Sequence, residues 1–246
     1  MQLDEMDLQW CVRCLPKDVR NLMRTHLPRL VVAGGYLRAL IAGEKPSDID
    51  IFVPSPEVAK TAALKLLGLE PGNDLPKTVV KTANALTIPR KDITVQFITR
   101  WTFDDVGAVI QSFDFTIAAA ALWCDASGWH SLCNDRFYMD LAAKRLVYRS
   151  PARNEDAGGS MLRVLKFYQR GYRIPLPSMG AVIARLMKGV KWEAIHTHPE
   201  NEQEMQLAKV LTGLLVQVDP NTFNPLGRII DADDEAIDLD TSTVGD

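Results

Sequence analysis

Apolar and polar positions in the first thirty residues repeat at helical spacing. Leu8, Val12, Leu15, Val19, Leu22 and Met23 form one broad stripe, which predicts a helix over 4–28. The period then changes. Residues 30–33 (LVVA) form a short unbroken apolar run, read as a buried strand stopped by Gly34 and Gly35. Residues 36–42 return to helical spacing and end where Gly43 and Pro46 stand. Residues 49–53 are a second strand, and Pro56 opens a helix that closes near Gly68. Residues 92–99 (DITVQFIT) alternate as a further strand, with strand pairing around Ala83 and Asn84. Thr102 and Asp105 have capping-box spacing, predicting a helix over 103–111. Residues 115–123 (FTIAAAALW) are apolar throughout, so periodicity leaves strand and helix both open. From Asn154 onward the spacing is helical, with one helix stopped at Gly171 and others over 178–189 and 200–217. Short strands alternating with helices, followed by helices alone, predict an α/β (α+β) fold. The expected division is a core over 1–150, with its N-terminal helix, and a helical region over 151–230.

Composition changes this picture little. A chain of 246 residues with 47% hydrophobic content can bury a sizeable core. Charge changes it more. The net charge is −3, yet the last sixteen residues (DADDEAIDLDTSTVGD) carry seven acids and no base, leaving −3 + 7 = +4 on the rest. Residues 231–246 are read as a solvated, disordered acidic tail. The mildly basic body suits a polyanionic partner such as a nucleotide. The acidic start, MQLDEMDLQW, has no export signal, and the apolar run 115–124 is too short to span a bilayer. The expectation is a cytoplasmic protein with no membrane partner. Cys11 and Cys14 lack a second C-x-x-C, and His196 and His198 lack zinc-hydrolase spacing, so reduced, structural cysteines are expected.

The chemistry concentrates between Gly34 and Phe52, in GGYLRALIAGEKPSDIDIF. Strand alternation puts Asp48 and Asp50 on one face and Ile49 and Ile51 on the other, with the carboxylates about 7 Å apart along the strand. Two carboxylates so placed can converge on hard cations. A glycine pair between strand and helix lets backbone N–H groups approach an anion at the helix's positive end. Metal carboxylates beside a phosphate cradle are the parts needed for phosphoryl or nucleotidyl transfer.

This stretch resembles the nucleotidyltransferase signature of the polymerase-beta superfamily. It is most similar to the branch of poly(A) polymerases and tRNA CCA-adding enzymes, written G-G-x-V-R-D, an apolar helix, then D-x-D. SFDFTIAAAAL resembles that branch's R-R-D-F-T-I-N-A element, DRFYMDLAAKRLVY its strand-to-neck stretch, and EDAGGSMLRVLKFYQRGYRI the start of its helical neck. The resemblance implies a nucleotidyltransferase-type mixed sheet and transfer of a nucleoside monophosphate from an NTP to an acceptor hydroxyl. An RNA end or another nucleic acid is a candidate acceptor. It further implies that Gly34 and Gly35 hold the triphosphate and that Asp48 and Asp50 bind Mg2+ (or Mn2+). Arg38 would serve the phosphates or the local structure, Asp114 would lie near the nucleotide sugar, and Arg163 would contact the triphosphate. Asp92 is the positional candidate for a third catalytic carboxylate, with Gln96 the alternative occupant of that position. The chain departs from the pattern at Ala39, Ser112, Phe113, Ala118, Ser160 and Lys166. Those departures keep a second reading open, a catalytically silent nucleotide- or nucleic-acid-binding module of the same fold. The basic residues Arg145, Arg149, Arg153, Arg163, Lys166, Arg170 and Arg173 could guide a nucleic acid, or form a solvated helix face.

Overall fold

The computed structural model describes residues 1–25, 29–151 and 158–216. The chain divides into two compact units, Met1–Ala143 and Lys144–Asp246. The predicted tail 231–246 and Arg153 lie outside the described residues.

The first unit is a seven-stranded mixed sheet in the order β3-β4-β5-β2-β1-β6-β7. Its strands are β1 (Val31–Ala33), β2 (Asp48–Phe52), β3 (Val80–Lys81), β4 (Ala85–Ile88), β5 (Thr94–Ile98), β6 (Ala120–Asp125) and β7 (Gly128–Cys133). Only β2 and β5 run parallel; every other neighbouring pair is antiparallel. The run 115–123 therefore resolves into a 3-10 turn, Thr116–Ala118, followed by strand β6. The strand reading wins because β6 is an interior strand: it pairs with β1 on one side and β7 on the other, and both of its faces near Ala120–Leu122 are buried.

The helix predicted over 4–28 is two helices, α1 (Glu5–Cys14) and α2 (Lys17–Thr25). Pro16 causes the break. It forces Leu15 into extended geometry (φ −61°, ψ 137°) and has no N–H for the helical ladder. Asp4 caps α1 by accepting from the Met6 N–H at 2.9 Å. The helix predicted over 103–111 is α5 (Val106–Ser112), and Asp105 is its cap, accepting from the Ala108 N–H at 2.8 Å. Thr102 is therefore not the cap residue.

Alternation explains the two faces of the sheet. Ile49, Ile51, Val95 and Phe97 are fully buried on one. On the other, Val31, Ala33, Phe52 and Ala121 form an apolar cluster with Val106, Val109 and Ile110 of α5. The cover is partial. Phe52 is buried, whereas Asp48 and Asp50, on the same face of β2, are only half-buried.

The second unit contains α7 (Gly159–Gln169), α8 (Leu176–Met187), α9 (Trp192–His196) and α10 (Glu200–Val216). Helix α7 packs on α8 and α10, and α10 packs on α9. The Leu146 N–H donates to the Arg173 carbonyl at 2.8 Å, tying the start of the unit to the loop after α7. Among the described residues no helix is long and apolar enough to cross a membrane.

Candidate active site

Two glycines follow β1, and they do different work. Gly34 adopts φ +85°, and a Cβ there would stand 2.9 Å from Cε1 of Phe113. Both its backbone and its neighbour exclude a side chain. The Gly34 N–H donates to the Ala120 carbonyl at 3.0 Å, locking the turn to β6. Gly35 begins α3 (Gly35–Ile41), and a Cβ there would meet no protein atom within 4 Å. Gly35 thus opens space rather than avoiding a clash, which fits a surface kept clear for a ligand.

Helix α3 ends as its sequence predicts. Gly43 takes φ +71°, its N–H donates to the Leu40 carbonyl at 3.2 Å, and the Glu44 N–H donates to the Ala39 carbonyl at 2.7 Å. That ending carries Glu44 to Arg38, whose Nη1 bonds the Glu44 carboxylate. Arg38 is 4% exposed. Of the two roles left open for this arginine, the observed contact is the local, structural one. A buried guanidinium held by a carboxylate is a poor candidate for reaching a phosphate.

Strand β2 then delivers Asp48 and Asp50. Asp48 accepts from the Ser47 hydroxyl at 3.2 Å (Oδ1) and from the Gln96 amide at 3.4 Å (Oδ2). Asp50 differs. Burial raises its carboxyl well above the usual carboxylate range, and the neighbouring charge of Asp48 raises it further. Some of the residue's surface stays accessible, yet its carboxyl is hemmed in by protein atoms. Among the described residues neither a cation nor a hydrogen-bond donor offsets those two effects. Among the described residues no group of three or more histidines, cysteines or acids could hold a metal. Asp48 and Asp50 are a pair of oxygen donors, a set suited to a hard divalent cation completed by water or phosphate oxygens.

The parallel register of β2 and β5 decides which residue stands beside this pair. Thr94 lies opposite Asp48, and Gln96 lies opposite Asp50. Asp92, the expected third carboxylate, is exposed and sits two residues ahead of β5. The register sets Gln96 on the rung opposite Asp50, whereas Asp92 precedes the paired residues and shares a rung with neither aspartate.

Asp114 is 2% exposed and directly follows Phe113, the residue abutting the Gly34 turn. The chain thus brings Gly34, Gly35 and the Phe113–Asp114 segment to one end of β1. Arg163 belongs to the second unit, half-buried on α7.

Two supporting groups were not singled out from sequence. Glu44 fixes Arg38, and its signal was its place just after the helix-stopping glycine. Asp140, on α6 (Phe137–Ala142), is fully buried. It accepts from Arg136 at 3.1 and 3.2 Å and from the Thr116 hydroxyl at 2.8 Å. The i, i+4 spacing of Arg136 and Asp140 was legible; the tether to Thr116 was not.

Comparison with known proteins agrees with this architecture. The Thermotoga maritima CCA-adding enzyme complexed with tRNA superposes with a TM-score of 0.53 at 20% identity, covering 91% of this chain and 56% of that one. A CCA-adding enzyme complexed with ATP gives 0.52 at 20% identity, with 91% and 56% covered. An apo CCA-adding enzyme gives 0.54 at 18% identity, with 91% and 58% covered. The chain spans a little over half the length of these structures, and it shares their fold. No curated protein matches the sequence. One family profile does match, over residues 3–144, more than half of the chain: this protein belongs to the Gabija anti-defense 2 family.

Proposed function

We propose that this protein is a divalent-cation-dependent nucleotidyltransferase whose acceptor is a component of the Gabija defence named by its family, a nucleic-acid end being the first candidate. One observation carries the reading. Asp48 and Asp50 share one half-buried strand face, and among the described residues nothing of opposite charge offsets Asp50. A fold tolerates a buried carboxylate beside a second one at a cost, and a cation would remove it.

In this reading Asp48 and Asp50 hold Mg2+ or Mn2+. When bound, the cation supplies Lewis acidity toward the acceptor hydroxyl and charge neutralisation for the departing pyrophosphate. The protein's own residues bind and orient. Gly35 leaves room for the triphosphate, Gly34 fixes the turn that aims it, and Asp114 lies near the sugar. Arg38 supports the turn's helix through Glu44. An incoming acceptor hydroxyl attacks the α-phosphorus, the bond to the β-phosphate oxygen breaks, and the hydroxyl proton passes to solvent or to Asp50. The CCA-adding enzymes of similar fold were captured with ATP, CTP and tRNA, which supports nucleotide and RNA as partners by analogy.

A second reading is favoured by Gln96, which gives the site an amide where a third carboxylate would serve as base. It is a nucleotide-binding module that acts by binding alone. One experiment separates the two. α-³²P-labelled ATP, CTP, GTP and UTP are offered with Mg2+ or Mn2+ to cellular RNA, DNA ends and Gabija components, with Asp48→Ala/Asp50→Ala as control. Label that moves to one acceptor class and is lost in the control supports transfer. Bound nucleotide with no transfer to any acceptor refutes it in favour of the second reading.

A further inference from the structure

We propose that the acidic segment 231–246 docks on the basic face of this chain's own α7 and α8, where it competes with nucleic acid. The inference stands apart from the reading of Asp48 and Asp50.

Charge is segregated along the second half of the chain. Residues 158–192, which hold α7 and α8, carry seven bases and no acid, and residues 231–246 carry seven acids and no base. A folded unit with one sign of charge repels itself and attracts the opposite sign. The counter-charge closest at hand is the one tethered in the same chain.

Helix α7 sets the geometry of the basic face. Arg163, Lys166 and Arg170 recur at i, i+3 and i+7, which puts them on one side of α7 and its C-terminal end. Helix α7 packs on α8, and Lys188 and Lys191 follow α8. Arg173, Lys188 and Lys191 are exposed, whereas Arg163, Lys166 and Arg170 are half-buried. Arg163 and Arg170 have further interactions, so what recruits the acidic segment is the excess positive charge of the face.

The acidic segment is within reach of that face. A Cβ at Gly158 would stand 2.7 Å from the Leu214 carbonyl oxygen, so the last turn of α10 lies against the start of α7. At about 1.5 Å per residue, Arg163 is about 8 Å from Gly158 along α7, and Arg170 about 18 Å. Asp231 comes fifteen positions after Val216, the last residue of α10. A flexible chain of that length spans about 21 Å in root-mean-square. Reach and distance match, the condition under which a tether gives its highest effective concentration, in the millimolar range. A single exposed ion pair holds little, but pairs formed after the first are intramolecular. A polyanion must displace the segment to reach the same bases.

The test uses the full-length protein. A carbodiimide, which joins a carboxylate to a lysine amine with loss of water, is applied to a mixture of 14N- and 15N-labelled chains at low salt. Mass spectrometry is expected to find links from 231–246 to Lys166, Lys188 or Lys191 within single chains, and fewer of them when a uridine 20-mer is added. A variant with Asp231, Asp233, Asp234, Asp238 and Asp240 changed to Asn and Glu235 to Gln is expected to bind the fluorescein-labelled 20-mer about 10-fold tighter at low salt, an advantage that disappears at about 0.5 M salt. Circular dichroism confirms the variant's fold, and the wild-type links carry the test if it does not fold. Links only between chains, no link to those lysines, or equal affinity in the folded variant at low salt overturns the inference. Neither readout uses Asp48, Asp50 or a nucleoside triphosphate, so its outcome is separate from that of the transfer assay.

Discussion

Replacing Asp50 with asparagine should stabilise the metal-free protein at neutral pH. The two carboxylates are separated by two residues of strand, about 6.6 Å at a rise of about 3.3 Å per residue. At an effective dielectric of about 20 their repulsion is about 2.5 kcal/mol. Burial of Asp50 adds to this cost, and protonation caps it. With an unfolded aspartate titrating near about 3.9 and about 1.4 kcal/mol per unit, the total at pH 7 cannot exceed about 4 kcal/mol. The new amide keeps a polar group half-buried, which takes back part of the gain. A net stabilisation of about 1–3 kcal/mol follows, a rise in Tm of roughly 2–12 °C for a chain of this size. The pH dependence fixes the sign. Asp50 is raised in the folded state, so above its unfolded value the folded chain retains a proton that the unfolded chain releases. Wild-type stability therefore falls as pH rises through that window, and the advantage of Asp50→Asn grows with it from near zero around pH 4. Urea unfolding of both proteins in EDTA, between pH 4 and 8, measures this difference. Adding Mg2+ should then stabilise the wild type and leave the variant unchanged. A variant equal to or weaker than the wild type at pH 8 in EDTA would refute the account of Asp50 as a carboxylate held at a cost.

Other perturbations separate support from chemistry. Gly34→Ala meets both a positive φ and Phe113, and should lower stability by about 1–2 kcal/mol or more in thermal unfolding. Gly35→Ala enters open space at a helix start; it should leave stability unchanged or slightly higher, while weakening nucleotide binding in a titration calorimeter. Arg136→Ala removes the guanidinium from the buried Asp140 carboxylate, which keeps the Thr116 hydroxyl, and should cost about 1.5–3 kcal/mol by urea unfolding, a loss that Asp140→Asn in the same background should partly restore. Burial pushes the Cys11 thiol up to about 12 and the Cys133 thiol up to about 11. Neither should react with iodoacetamide at pH 8 until denaturant is added, whereas the half-buried Cys14 and Cys124 should label first.

What the sequence made legible was local: the change of period at Leu30, the glycine stop at Gly43, and the alternation that puts Asp48 and Asp50 on one face. Each follows from the backbone preferences of a few adjacent residues. What it left open depended on pairing between distant segments. Residues 115–123 read equally as helix or strand because only the partners β1 and β7 make an unbroken apolar run a strand. Asp92 and Gln96 both stayed open for the third position because strand pairing, not strand length, sets what faces what, and the rung opposite Asp50 is Gln96. Arg38 could be placed in a motif from sequence; only the fold of the Gly43–Glu44 stop showed that its guanidinium is held by a carboxylate. Pro16 is the instructive miss, since its effect is itself local: the apolar stripe continues across it, and the stripe outweighed the one residue that cannot join the ladder. The functional consequence runs the same way. The part of the site that a motif can encode is the aspartate pair, and the part it leaves open is which residue of β5 lies across from that pair, settled only by the register that puts Gln96 opposite Asp50.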